Sequence, residues 1–113
     1  MIVTKLLRAA EWAQFQADGV FAGSADDLRD GYIHLSPPAE VAATAAKWFA
    51  GEPGLMAVTF DADALGDALR WEPARGGVLF PHLYRPLRLD EVINAASLPL
   101  AGGVGGGGAG TQS

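Results

Sequence analysis

Apolar positions change their period several times along the chain, and each change marks an element. Ile2 to Leu7 is a short apolar run with β-branched residues and predicts a first strand. From Arg8 to Asp18 the period lengthens. Ala9, Trp12 and Ala13, with Phe15 and Gln16 beside them, suit a helix with one apolar face. Gly19 stands where a left-handed cap ends such a helix. Val20 to Gly23 reads as extended, and Ser24-Ala25-Asp26-Asp27-Leu28 as a single turn with Ser24 as its N-cap. Asp30-Gly31 is a turn signal. It leads into Tyr32-Ile33-His34-Leu35, a strand with Tyr32 and His34 on one face and Ile33 and Leu35 on the other.

Ser36-Pro37 predicts a helix start, with Ser36 as cap and the proline at the first position. Val41, Ala45, Trp48 and Phe49 follow at i, i+4, i+7 and i+8 and form its expected buried stripe, which Gly51 and Pro53 close. Leu55 to Phe60 predicts a central strand, and Asp61 begins a short helical turn through Leu65. Leu69-Arg70-Trp71-Glu72 alternates as a strand, Arg75-Gly76-Gly77 turns, and Val78-Leu79-Phe80 is extended until Pro81 stops it or marks an edge. Leu87 to Ala96 alternates loosely and ends the sheet. The order indicates α+β, with a split, antiparallel-leaning sheet and no doubly wound periodicity. Trp12, Trp48 and Trp71 are all expected in the core.

The end of the chain differs. Residues 102–113 hold seven of the fifteen glycines and no periodicity, so residues 101–113 are expected to form a flexible Gly-rich tail behind a single domain of residues 1–100. With 113 residues, half of them apolar, the chain has enough for one core. A net charge of −5 disfavours nucleic acid and anionic membrane as partners. The absence of cysteine removes disulfides, thiolate metal sites and thiol nucleophiles, and with no spanning run and no signal peptide it suggests the cytoplasm. Oligomeric state is left open.

His34 and His82 are the chain's two histidines. His34 and Ser36, two apart on a strand, can reach one ligand, and a helix N-terminus beside them favours an anion. His34 reads equally as a core histidine, and Ser36 as a cap alone. Phe80-Pro81-His82-Leu83-Tyr84 sets rigid amphipathic side chains close together, for binding or for packing. A metal could recruit Glu72 or Asp30 as a third ligand, but no metal-binding spacing is present and none is expected. Residues 70–88 carry Arg70, Arg75, Arg85 and Arg88 against Glu72 alone. Such forks suit phosphates and carboxylates, or they balance nearby acids.

The blocks Asp30-Gly31-Tyr32-Ile33-His34-Leu35-Ser36, Leu69-Arg70-Trp71-Glu72 and Phe80-Pro81-His82-Leu83-Tyr84 resemble the signatures of a bacterial family, domain of unknown function 952, over residues 2–95. Two departures are visible: Thr4 precedes Lys5 where the family tends to carry Tyr, and Arg85 follows Tyr84 where Gly is common. The resemblance implies an ADP-ribosyltransferase-like superfold, a split sheet with two main helices that grips NAD in a central cleft. It places Lys5 on the early strand, His34 and Ser36 on the second motif strand, and Glu72 and His82 at the late positions.

The resulting expectation is an NAD- or nucleotide-binding domain, with NAD as substrate of an ADP-ribosyl (glycosyl) transferase. His34, Glu72 and His82 would be catalytic, and Lys5, Ser36, Arg70, Tyr84 and Arg85 would bind the ligand. In such a site Glu72 steadies positive charge, His82 donates a hydrogen bond or moves a proton, and an arginine meets the phosphates. Two rivals stand beside it: a non-catalytic module for a small anionic metabolite, and a structural protein without a ligand. All ligand readings need both imidazoles over one cavity rimmed by guanidinium groups.

Overall fold

The computed structural model describes residues 1–98. The glycine-rich segment from residue 102 lies outside the described residues. The first strand, β1 (Ile2–Leu7), buries its last five residues because both of its faces are covered. Val3 and Leu7 point into the main core and Leu6 into a second, smaller one. Lys5 shares the face of Val3 and Leu7, an unusual place for an ammonium group. Helix α1 (Ala9–Asp18) ends at Gly19 in the left-handed conformation, as expected, and sends Phe15 into the core. β2 (Val20–Phe21) pairs with β7 (Leu87–Arg88).

β1 pairs with β4 (Met56–Asp61), which pairs in turn with β8 (Val92–Ser97). The run read as a central strand is therefore central. A second three-stranded sheet has the order β3 (Ile33–His34), β6 (Leu79–Leu83), β5 (Leu69–Pro73). Every strand pair among the described residues is antiparallel. The two larger sheets meet at one bridge, where Thr4 and Ser36 exchange both backbone hydrogen bonds at 2.9 and 2.8 Å. The fold is α+β, and its split lies at that bridge.

Among the described residues the two main helices, α1 and α3 (Val41–Trp48), are joined by two short ones, α2 (Ala25–Asp30) and α4 (Ala62–Leu65), where single turns were expected. Ser24 caps α2 through Asp27 N–H, and Asp61 caps α4. Ser36 does not cap a helix. Its backbone is held by Thr4, and the 3₁₀ turn Pro38–Glu40 carries its own proline at the start before α3 begins.

Two other expectations fail for physical reasons. β6 runs through Pro81 instead of stopping there. The Pro81 carbonyl accepts from Leu35 N–H at 3.0 Å, and because proline has no N–H to return the bond, the ladder to β3 closes there with a single hydrogen bond while β6 continues beside β5. Trp48 and Trp71 are exposed, not core. α3 ends at Trp48, and Phe49 fills the core position instead. Trp71 lies on β5, the outer strand of its sheet. Trp12 packs against the main core as expected.

Candidate functional site

The register of the second sheet builds the site. His34 on β3 stands directly opposite His82 on β6, and His82 directly opposite Arg70 on β5. Side chains alternate, so Tyr32, His34, Phe80, His82, Tyr84, Arg70 and Glu72 share one face, while Ile33, Leu83 and Leu69 go to the core. The imidazoles of His34 and His82 lie 5.7 Å apart, centroid to centroid. Tyr32 bridges them, stacked on His82 at 4.1 Å and tilted against His34 at 4.7 Å.

Both histidines line a cleft of about 640 Å³ at the seam between the sheets. Lys5 and Ser36 line it as well, with α2, α3 and the start of β6 completing the wall. The convergence expected of the two imidazoles is thus present.

Each imidazole is held by a carboxylate. His82, 5% exposed, contacts Glu72 Oε1 through Nδ1 at 2.8 Å, and Tyr84 donates its hydroxyl to the same oxygen at 2.7 Å. The hydrogen bond from Tyr84, then that from His82, lowers the Glu72 pKa. The same contact raises that of Tyr84. Among the described residues, Nε2 of His82 has no hydrogen-bond partner.

His34 belongs to a second cluster centred on Asp27, which is 2% exposed. Asp27 accepts from Lys5 Nζ, from His34 Nδ1 and from the backbone N–H groups of Ser24 and His34. Burial acts to raise its pKa. The hydrogen bond from His34 and the charge and hydrogen bond of Lys5 outweigh burial and hold the carboxyl well below its ordinary range. Lys5 is moved down chiefly by burial, against the pull of Asp27. His34 Nε2 meets Asp30 Oδ2 at 2.9 Å. Carboxylates only accept, so the ring serves both aspartates when both of its nitrogens carry hydrogen.

Asp27 is the residue of the cleft's polar cluster that the sequence did not point to. The signal was the Ser24-x-x-Asp27 capping box, which places this carboxylate at a fixed point of α2. Gly23 makes room for it: a Cβ there would stand 2.9 Å from that of Asp27, at a φ of 134°.

Arg70, Arg85 and Arg88 do not form the expected guanidinium rim. Arg85 binds Glu91 and the Leu65 carbonyl, and Arg70 stacks on the Tyr84 ring at 4.9 Å. Arg88 pairs with Asp90. None of the three lines the cleft, and neither do Tyr84 and Glu72. The one arginine lining it among the described residues, Arg29, is paired with Asp26 and Asp30. No group of three or more histidine or acidic side chains among the described residues is arranged to hold a metal ion.

The family described as "Protein of unknown function (DUF952)" matches residues 6–95. The chain belongs to the DUF952 family. A crystal structure of protein CC0527 from Caulobacter crescentus is 48% identical to this DUF952 chain, with a TM-score of 0.87 over 90% of each chain. The solution NMR structure of CC0527 gives 48% identity and a TM-score of 0.79, over 89% of this chain and 87% of that one. No curated protein matches the DUF952 chain. No helix among its described residues is long and apolar enough to cross a membrane.

Proposed function

We propose that the cleft binds NAD or a related nucleotide, and that His82 moves a proton to or from the bound molecule. The observation that carries this reading is the meeting of two imidazoles in one cleft, each held from behind or beside by a carboxylate. Its volume falls in the range of about 300–1,000 Å³ that small-molecule sites occupy. Glu72 accepts the Nδ1 hydrogen of His82, which leaves the Nε2 lone pair as the proton acceptor. His34, with both ring nitrogens held by Asp27 and Asp30, forms a fixed part of the cleft wall, and Ser36 adds a hydroxyl beside it. An antiparallel fold split at a cleft also supports the ADP-ribosyltransferase-like reading, in which NAD lies between the halves. In that chemistry the bond between ribose and nicotinamide breaks, nicotinamide leaves with the bonding electron pair, and an acceptor nucleophile bonds to the ribosyl cation and gives up its proton to His82 Nε2, while Glu72 acts on the site through its hydrogen bond to His82.

Incubation with NAD tests the reading. Binding by calorimetry, with nicotinamide released and both effects lost in His82→Ala, supports the transferase. Binding without release supports a non-catalytic module. Absence of binding by NAD and by simpler nucleotides removes the nucleotide reading altogether.

A further inference from the structure

The imidazoles occupy one side of the cleft, and α3 supplies another. Val41, Ala45 and Phe49, at i, i+4 and i+8, pack into the smaller core with Leu6 and Leu55. Thr44, Lys47 and Trp48, at i, i+3 and i+4, form a second face, and all three line the cleft. Trp48 is 61% exposed there, so its ring contributes little to folding. The Lys47 ammonium stands 5.4 Å from the centre of that ring.

The charges lining the cleft are otherwise engaged. Lys5 is bound by Asp27, and Arg29 by Asp26 and Asp30. Among the described residues Lys47 alone of the three lining cations has no carboxylate partner. A largely exposed indole with an ammonium over its ring and no carboxylate on that ammonium matches a flat ring joined to an anion.

We infer that Trp48 and Lys47 form a subsite for an aromatic base and its phosphate, so that the cleft selects nucleotides over phosphates without a ring. This rests on the nucleotide reading of the cleft and specifies it. Base stacking on an aromatic side chain is expected to make AMP bind about ten-fold or more tightly than ribose 5-phosphate. Trp48→Leu then lowers AMP affinity to the level of ribose 5-phosphate, and Trp48→Phe recovers part of the loss. Lys47→Gln weakens both phosphates and leaves adenosine unchanged.

Calorimetric titration of the full chain with AMP, ribose 5-phosphate and adenosine decides the matter, with a thermal melt of each variant to confirm that it folds. Equal affinity for AMP and ribose 5-phosphate, or AMP binding that Trp48→Leu leaves intact, overturns the subsite. If His82→Ala abolishes AMP binding while Trp48→Leu does not, the cleft reading stands and the subsite falls. If none of the three compounds nor NAD binds the unaltered chain, both fall together.

Discussion

Asp27 concentrates more of the molecule's polar energetics than any other described residue. It is buried, ionised and surrounded by donors from β1, β3 and the start of α2. Removing one partner of such a group leaves the others desolvated, at a cost of about 3 kcal/mol or more. Asp27→Asn is therefore expected to lower the unfolding free energy by that amount in urea titrations. The pH dependence follows from the same site. The folded-state pKa of Asp27 lies below the unfolded one, so the unfolded chain takes up the proton first. The stability this carboxylate contributes is complete in neutral solution and declines as pH falls below about 5. Urea midpoints measured across that range should show the decline, and Asp27→Asn should flatten it. Tyr84 offers a second test. Its hydrogen bond to Glu72 raises its pKa, so Glu72→Gln should bring its phenolate absorbance in at lower pH. Tyr32 is raised mainly by burial and should move less.

At the scale of elements, α2 is six residues long and depends on its ends. Ser24 accepts the Asp27 N–H, Asp27 returns the bond to Ser24 N–H, and Gly31 closes the helix at a φ of 87°. Ser24→Ala is expected to cost about 1 kcal/mol. Gly31→Ala should cost about 1–2 kcal/mol from its left-handed backbone alone, since nothing crowds the added methyl group. Both losses are readable in thermal melts. Because α2 carries Asp27 and Asp30, either change should also shift the His34 ring signals in NMR spectra. The Ser24 cap was legible in the sequence and Gly31 was legible as a turn, whereas the return bond from Asp27 was not. α3 was half legible. Its period gave the core stripe of Val41 and Ala45, but not that the helix would end as Trp48 reached the cleft. Pro81 shows the same limit, because whether a proline interrupts a strand depends on where the neighbouring strand stops.

For the whole molecule, two three-stranded sheets meet at Thr4 and Ser36, and the cleft opens at that junction. β4 is paired on both sides and buries Val58 and Phe60 in the main core, whereas β2 and β7 are two-residue strands paired only with each other. Amides of β4 are therefore expected to exchange last in hydrogen-exchange experiments, and those of Val20–Phe21 and Leu87–Arg88 much earlier. The paired ends of the two larger sheets should fall between them. Uniform protection across all strands would contradict this gradient.

The sequence alone determined the elements that rest on local rules: the first and central strands, α1 with its glycine cap, the Ser24 turn, and the shared face of Tyr32 with His34 and of His82 with Tyr84. Backbone sterics, capping and side-chain alternation act over a few residues, so the local order of residue types records them. Tertiary structure decided the rest. Strand register brought His34 opposite His82, β1 placed Lys5 beside Asp27, and Arg70, Arg85 and Arg88 found acids or a tyrosine ring instead of the cleft. Those outcomes depend on which distant groups come within a few ångströms, and charge and hydrogen bonding act across that space irrespective of position in the chain.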